Sequence, residues 1–392
     1  MREPFLLFLI IVINFGLLLF ASSTLSISYY EADAFFNGSD TVHYLIKLSC
    51  ELFGQNDYAL RVPFIIIHTL STILLYLVSR PILKREIDRL STVLIFIALP
   101  GSIVVSLAAN GTALLILGTL MFLYLRQLDK RIAMYAMLVL SLFLSKGFII
   151  LYFLLFFYAV NKRDIVIMAL SLALFAAGMY MYGFDIGGRP RGYFLDTFSI
   201  YGAIFSPLLF LYFIYSLYRI LVKGGKTLLW WLSFGAFIAS VLLSFRQRIA
   251  IEEFASYMII ATPLIVSTFM NSFRVRLPKH RKLHKFFATL VMALLVFNSA
   301  VIFANQYLYT FYKNSTKHFA YKYHIAKELS VELKKRGISE VKVEDKKMAL
   351  RLKFYGIEDS ETIELEKTLT GEIEIAYGGI IVERYALINQ PI

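Results

Sequence analysis

Two carboxylates directly follow the first apolar run of the sequence, and their side chains are suited to proton transfer. Residues 5–21 are apolar, and the stretch "SISYYEADAFF" after them carries Glu31 and Asp33. A carboxylate beside a hydroxyl or an amine can act as a general base that accepts its proton. We take Asp33 as the candidate base and Glu31 as the alternative. An acid in a loop is nevertheless more often only solvated.

Cations that suit a phosphate group recur on later segments. Lys146 interrupts the otherwise uncharged run "LSLFLSKGFIILYF", and arginines occur in "GGRPRG" and "FRQRIAIEE". Both residue types form charge-assisted hydrogen bonds with phosphate. Each also has a structural explanation, since Lys146 can extend its amine to the membrane interface and arginines can cap helix ends. The candidate substrate- or phosphate-binding residues are Lys146, Arg61, His43, Arg189, Arg191, Arg246 and Arg248, of which His43 is most simply structural.

The composition is that of a membrane protein. Of the 392 residues, 58% are hydrophobic and only 17% are charged, whereas about 25% of a soluble domain is charged. Long apolar runs recur over the first three quarters of the chain, so we predict a mainly α fold, a polytopic transmembrane helical bundle. The predicted spans, about eleven, are 5–27, 61–79, 91–108, 113–126, 132–145, 147–160, 165–182, 200–220, 228–244, 255–272 and 286–305.

The loops between these spans predict the orientation. One set, with Arg2, carries 19 Lys or Arg and five acids, whereas the opposite set carries seven cations and nine acids. The positive-inside rule assigns the first set, and the N-terminus, to the cytoplasm. The loops 28–60, 183–199 and 245–254 then lie outside, as does the segment 306–392. The net charge of +13 is therefore mostly a topology signal, and we predict no nucleic-acid partner.

The C-terminal segment has the composition of a small globular domain. We divide the chain into a transmembrane domain, 1–306, and an extracytoplasmic α/β domain, 307–392. Helical periodicity predicts helices in "YHIAKELSVELKKRG" and "DKKMALRLKFYGI", and "SEVKVE", "TIEL", "EIEIA" and "IIVERY" are typical of short strands. In the first outer loop, residues 42–53 are expected to form an amphipathic helix in the membrane interface.

Metal and disulfide chemistry are not indicated. Cys50 is the single cysteine, so an intramolecular disulfide is excluded. The six histidines lack metal-ligand spacing. We therefore predict neither a metal site nor a cofactor.

The order of these features resembles the GT-C membrane glycosyltransferases of family 39, which include protein O-mannosyltransferases and aminoarabinose transferases. The resemblance rests on "YEADAFF", "HYLIKLSCELFG", "LFGQNDYALRVP", "LSKGFIILYFLL" and two later proline-containing helices. It implies an inverting transfer of a sugar from a polyprenyl phosphate at the outer membrane face. It also implies that the first-loop acid, Asp33 or Glu31, is the base, and that Lys146 lies near the carrier phosphate. The sequence differs from the family where Glu-Ala-Asp replaces an Asp-Glu pair.

We therefore predict a prokaryotic inner-membrane glycosyltransferase. Its expected partners are a polyprenyl-phosphate-linked sugar, a lipid, glycan or protein acceptor, and membrane lipids. One alternative is a transporter or lipid flippase, which needs buried charges along a route joining both faces, whereas the informative charges here share one face. Another is a non-catalytic assembly partner with the same fold.

Overall fold

A computed structural model describes residues 2–183, 192–312, 315–360, 363–368 and 370–389. Within them the chain is mainly helical, with a small sheet near the C-terminus, which confirms the predicted fold class. The α-helices are α1 Arg2–Thr24, α2 Tyr29–Asn37, α3 Thr41–Phe53, α4 Asp57–Ser79, α5 Glu86–Ala98, α6 Pro100–Leu107, α7 Thr112–Gln127, α8 Arg131–Leu144, α9 Phe148–Lys162, α10 Ile165–Tyr182, α11 Phe194–Phe205, α12 Pro207–Lys223, α13 Leu228–Ser244, α14 Ile251–Ile259, α15 Thr262–Val275, α16 Pro278–Phe303, α17 Ala326–Lys335 and α18 Lys346–Phe354.

Apolar helices make this a multi-pass membrane protein. Among the described residues, α1, α4, α10 and α16 are each long and apolar enough to cross a bilayer, and three bent helix pairs pass the same test together. The segments predicted as spans each coincide with a helix or a bent pair, so their helical structure is confirmed. The number of helices that cross the membrane stays a prediction, because α7, α8, α9 and α13 are shorter.

Prolines explain why three predicted spans are bent. The breaks lie between α5 and α6 (60°), α11 and α12 (103°), and α14 and α15 (44°). Pro100 and Pro207 begin α6 and α12, and Pro263 is in the first turn of α15. A proline disfavours helical geometry in the residue before it. Leu99 and Ser206 accordingly have ψ angles of 127° and 134°.

The chain forms two compact units. The first comprises Met1–Phe15, Phe64–Ser106 and Asn110–Ser299, and the second comprises Gly16–Pro63, Leu107–Ala109 and Ala300–Ile392. The second unit thus contains both the first predicted outer loop and the C-terminal segment. The domain boundary predicted at residue 306 is based on composition, whereas these two units are defined by packing. The predicted boundary therefore stays a prediction.

The C-terminal segment of the second unit contains the predicted sheet. Its strands, β1 Lys342–Val343, β2 Ile363–Lys367, β3 Ile373–Tyr377 and β4 Ile380–Asn389, lie in the order β1-β2-β4-β3. β1 is parallel to β2, and the other neighbours are antiparallel. Gly378 and Gly379 join β3 to β4 with φ angles of 58° and 81°, values that suit a two-glycine hairpin turn.

The helices α17 and α18, both predicted from the sequence, pack on this sheet. Their apolar faces contribute Leu329, Leu333 and Leu352 to a buried core that the strands complete with Leu365, Ile375 and Tyr385. The glycine stop predicted after α17 is Gly337, whose φ angle is 74°.

Candidate active site

The two predicted carboxylates lie on α2, which the sequence analysis treated as part of a loop. A capping box begins this helix: the Ser28 hydroxyl accepts a hydrogen bond from the Glu31 backbone N–H at 3.3 Å, and Glu31 Oε2 accepts one from the Ser28 N–H at 2.8 Å. The Ser-x-x-Glu pattern of this motif is present in the sequence. Asp33 lies two residues later, so its side chain points about 200° around the helix from that of Glu31.

Glu31 is a buried structural carboxylate. Only 3% of its surface is exposed. Besides the Ser28 N–H, its Oε2 accepts from Nη2 of Arg61 at 3.2 Å, and Oε1 accepts from the backbone N–H of Ala109 at 3.3 Å. Both oxygens are therefore engaged, so Glu31 is poorly suited to accept a proton from a substrate.

Arg61, the partner of Glu31, has no surface exposure. All five of its N–H groups have acceptors within the second unit. These are the carbonyl oxygens of Leu107, Leu25, Ser22 and Ser26 and the Glu31 carboxylate, at 3.0, 2.9, 3.5, 2.9 and 3.2 Å. This saturation gives Arg61 a structural role and argues against the predicted phosphate contact.

Asp33 is in a different environment from Glu31. Its side chain is half-buried, and its Oδ1 accepts a hydrogen bond from Nδ2 of Asn37, one turn later, at 2.8 Å. No ion pair with a described residue neutralises it. The carboxylate is therefore accessible to a substrate, as the predicted role requires.

His43 connects α2 to α3. Its Nδ1 lies 2.8 Å from the carbonyl oxygen of Ala34 in α2, and its backbone N–H donates to Asp40, the N-cap of α3, at 3.0 Å. The ring is buried. These contacts favour the structural role over substrate binding. The observed α3 confirms the helix predicted over residues 42–53, while its location in the membrane interface stays a prediction.

A buried arginine of α18 supports the chain segment that leads into α2. Arg351 donates from Nε to the carbonyl of Ile27 at 2.7 Å, and from Nη2 to Ser26 Oγ at 3.2 Å and to the carbonyl of His324 at 2.5 Å. Only 7% of Arg351 is exposed. It thus fixes residues 26 and 27 against the C-terminal segment. No local sequence pattern indicates this role of Arg351.

Asp57, at the start of α4, is a second anchor of the same loop. The Tyr355 hydroxyl donates to its Oδ1 at 2.5 Å and accepts from the Ile27 N–H at 2.8 Å. Lys327 pairs with Asp57 Oδ2 at 3.0 Å and donates to the Ser23 carbonyl at 2.9 Å. Three residues of the C-terminal segment therefore hold the chain on both sides of α2. Arg351, Tyr355 and Lys327 contact residues before the helix, and Tyr355 and Lys327 also contact Asp57 after it.

Two half-buried tyrosines near α2 stay protonated. Burial, with the charge of Asp57 as a second cause, raises the pKa of Tyr355 well above its usual value. Burial, followed by the charge of Glu31, raises the pKa of Tyr323 to about 12. The Tyr355 hydroxyl therefore remains a hydrogen-bond donor to Asp57 at neutral pH, which suits a scaffold.

In the first unit, Lys146 lies beside a carboxylate, Glu253, that is not among the predicted site residues. Lys146 occupies the break between α8 and α9, and its Nζ is 3.9 Å from Oε1 of Glu253 in α14. Lys146 is 48% exposed and Glu253 is 20% exposed. Both line a cavity of about 110 Å³ whose other walls include Ile149, Met179 and Phe254. A charged rim over apolar walls suits an amphiphile.

Gly147 explains how this break can pack so closely. A Cβ at Gly147 would lie 2.2 Å from Leu115 Cδ1, so a larger residue here would displace that side chain. The close approach lets the Gly147 carbonyl accept a hydrogen bond from the Tyr257 hydroxyl at 2.9 Å. α14 is thereby tied to the segment that carries Lys146.

The remaining predicted arginines follow α13 or lie outside the described residues. Arg246 and Arg248 are exposed, and Gln247 between them lines the Lys146 cavity. The backbone N–H of Tyr193 donates to the Ser244 carbonyl at 2.8 Å, next to this arginine pair. Arg189 and Arg191 lie outside the described residues.

The predicted site residues fall in both units. Asp33, Glu31, His43 and Arg61 belong to the second unit, whereas Lys146, Arg246 and Arg248 belong to the first. Their convergence on one pocket stays a prediction. In the described part of the chain, no group of three or more His, Cys, Asp or Glu side chains is arranged to hold a metal ion.

Sequence comparison matches part of the chain to a known family. A family model described as dolichyl-phosphate-mannose-protein mannosyltransferase matches residues 41–184. The matched part includes His43, Arg61 and Lys146, but it begins after the helix that carries Asp33. A comparison with curated proteins gives no match.

Structural comparison covers nearly the whole chain. The crystal structure of ArnT from Cupriavidus metallidurans bound to undecaprenyl phosphate has a TM-score of 0.54 and 11% identity, and the match covers 91% of this chain and 86% of that chain. This chain shares the fold of that ArnT. The apo structure of the same ArnT gives a TM-score of 0.52 at 11% identity, covering 91% of this chain and 75% of that chain. The resemblance to GT-C enzymes predicted from sequence is confirmed at the level of the fold.

Proposed function

We propose that this protein is a membrane glycosyltransferase that uses a polyprenyl-phosphate sugar as its donor. The observation that carries the proposal is the fold shared over 91% of the chain with an ArnT bound to undecaprenyl phosphate. The family model that matches residues 41–184 is described by a sugar-loaded polyprenyl phosphate, dolichyl-phosphate-mannose. Both comparisons therefore name a polyprenyl phosphate, which supports a donor of this class.

Asp33 is the proposed general base. Glu31 has both oxygens engaged by Ser28, Arg61 and Ala109, and a proton arriving on it would weaken a buried ion pair. Asp33 is half-buried and makes a hydrogen bond only with Asn37 among the described residues. It has an oxygen available to accept a proton, and its helix is held by Arg351 and Tyr355.

Lys146 is proposed to contact the donor phosphate, together with one or more of Arg246, Arg248, Arg189 and Arg191. The Lys146–Glu253 separation of 3.9 Å at a partly exposed rim gives a weak ion pair. A phosphate oxygen can therefore replace the Glu253 carboxylate as the ionic partner of Lys146. The apolar cavity walls beside Lys146 suit the first isoprene units of the carrier.

The proposed step conserves atoms and charge. Asp33 accepts the proton of an acceptor hydroxyl or amine as the acceptor atom bonds to the anomeric carbon. The bond between that carbon and the phosphate oxygen breaks, and the electron pair leaves with the polyprenyl phosphate. Attack opposite the leaving group inverts the anomeric configuration. Positive side chains stabilise the charge that develops on the phosphate.

The site is proposed to face the extracytoplasmic side of a prokaryotic inner membrane. In this orientation the N-terminus and the loops rich in Lys and Arg are cytoplasmic. The first outer loop, Lys146 and the C-terminal segment then share the opposite face. This arrangement gives access to a sugar carried by lipid in the outer leaflet.

Purified protein incubated with radiolabelled polyprenyl-phosphate sugars and a membrane extract as acceptor tests this function. The proposal predicts label in an acceptor and release of free polyprenyl phosphate. The same protein in vesicles, with donor on one side only, separates the alternatives. Translocation of intact donor without transfer identifies a flippase, and neither activity identifies a non-catalytic partner.

A further inference from the structure

A second cavity lies between four helices of the first unit. It has a volume of about 360 Å³ and is bounded by α5, α12, α15 and α16. Its walls are mostly aliphatic and aromatic, with Leu94, Ile265, Phe269 and Val291 among them. Apolar walls of this kind accommodate a hydrocarbon chain.

Two polar atoms of this cavity have no protein partner. The Tyr212 hydroxyl and Nε2 of His284 are both buried, and neither forms a hydrogen bond with any described residue. Both residues line the cavity. The His284 ring stacks on Phe269 with centroids 4.8 Å apart, so its orientation is fixed. Buried polar atoms are normally satisfied, and these two therefore indicate a ligand with a polar group at this position.

The charges around these atoms favour an anionic group. The segment 274–285 carries six cations and no acid. Arg274 is bound by Asp88 at 2.5 Å, whereas Arg276 is exposed. Arg276 is the C-cap of α15, three residues after Phe273, whose ring stacks on His284 with centroids 6.1 Å apart. An acceptor-rich anion can therefore meet the hydroxyl, the imidazole and a guanidinium together.

We propose that this cavity binds an anionic phospholipid, with an acyl chain between the helices and the phosphate near Arg276, Tyr212 and His284. Basic pockets between membrane helices at a cationic face select anionic lipid headgroups. The site is separate from the proposed donor site, because Glu253 lies at the start of the α14–α15 pair and Arg274 lies near its end. The proposal does not depend on the glycosyltransferase function.

Equilibrium binding of fluorescent phosphatidylglycerol to the purified full-length protein in detergent tests this proposal. We expect saturable binding, with phosphatidylcholine competing at least about tenfold more weakly, a difference of about 1.4 kcal/mol. Arg276→Gln removes the exposed charge and Ala288→Phe fills the cavity, and each should weaken binding by about tenfold or more. Lys84→Gln is the matched control, because it removes an exposed cation of another basic loop that does not line the cavity. Its affinity should equal that of the wild type.

Several results would contradict the proposed phospholipid site. Equal competition by phosphatidylcholine would remove the anionic selectivity. Unchanged affinity in a folded Ala288→Phe protein would exclude the cavity as the binding place, and if that variant does not fold, unchanged affinity in Arg276→Gln decides against the proposal. Undecaprenyl phosphate that displaces the probe at lower concentration than phosphatidylglycerol would identify a site for donor lipid instead.

Discussion

Glu31 and Arg61 form a buried ion pair, 3.2 Å between Oε2 and Nη2, and Glu31 lies on the same helix as Asp33. The pair joins α2 to the start of α4, and every hydrogen-bonding group of the arginine is used. Glu31 therefore supports the position of α2, while Asp33 faces away from the pair. Two acids separated by one residue have different roles because helix geometry directs them to opposite faces.

The different environments of Glu31 and Asp33 predict that their substitutions change the stability of the protein by different amounts. Glu31→Ala leaves the Arg61 charge buried without its partner, which should destabilise the protein by about 3–5 kcal/mol. Asp33→Asn removes a half-exposed charge and should change stability by no more than about 0.5 kcal/mol. Thermal unfolding of the purified variants in one detergent measures both. Equal unfolding temperatures for the two variants would contradict the structural role of Glu31.

The Tyr355 contact with Asp57 makes a second prediction. Tyr355→Phe leaves the Ile27 N–H without an acceptor and removes the hydroxyl that donates to Asp57 Oδ1, so it should cost about 1–3 kcal/mol. Because these groups hold the segment leading to α2, turnover should also fall. Tyr44→Phe is the control, since Tyr44 is 65% exposed. A Tyr355→Phe protein that unfolds at the same temperature as the control would show that the contact contributes nothing.

His324 predicts a dependence of stability on pH. Burial, with smaller contributions from His318 and Arg351, lowers the pKa of His324 to about 3, against about 6.5 in an unfolded chain. The folded state therefore holds a neutral imidazole, between the Tyr309 hydroxyl and Asn305 Oδ1 at 2.8 Å each. Its contribution to stability is complete above about pH 6.5 and is lost as the pH falls toward 3, because the unfolded state takes up the proton first.

Unfolding temperatures of wild type and His324→Gln at pH 7.5 and pH 5 measure this effect. The wild type should lose more stability between these values than the variant, which lacks the titrating ring. The variant should be less stable than the wild type at pH 7.5. Parallel losses in the two proteins would assign the acid sensitivity to other groups.

Lys146 predicts a selective effect on the donor. Lys146→Gln removes the charge proposed to contact the phosphate and should raise the KM for the polyprenyl-phosphate sugar by about tenfold, or ~1.4 kcal/mol. Lys146→Arg should retain part of the affinity, because it keeps the charge. Lys162→Gln, an exposed cation at the end of α9, serves as the control. An unchanged KM in Lys146→Gln would remove this residue from the donor site.

The sequence predicted the helices and the C-terminal elements well because local pattern determines them. Long apolar runs identify α1, α4 and α16, and periodicity with a glycine stop identifies α17. The bends at Pro100 and Pro207 were also accessible from sequence, yet we predicted continuous spans there. α2 was missed because its nine residues lack a clear apolar stripe, although Ser28 and Glu31 have capping-box spacing.

The site was less predictable because its contacts are distant in sequence. Tyr355 and Asp57 are 298 residues apart, and Arg351 and Ile27 are 324 residues apart. No local pattern reveals such pairs. Arg61 was predicted as a phosphate ligand because its acceptors are also distant in sequence. Its five engaged N–H groups indicate a structural role. Glu253 was not predicted, because sequence alone does not distinguish a site carboxylate in an outer loop from a solvated one.

The central claim is that Asp33 is the base of a polyprenyl-phosphate-dependent glycosyl transfer. The most direct measurement compares label transfer from a polyprenyl-phosphate sugar by wild type, Asp33→Asn and Asp40→Asn, each verified as folded. Asp40 is an acid of the same loop, and asparagine can replace it as the N-cap of α3. We predict that Asp33→Asn lowers turnover by about 10²–10⁴-fold, while Asp40→Asn transfers at the wild-type rate. Wild-type turnover in Asp33→Asn would contradict the account.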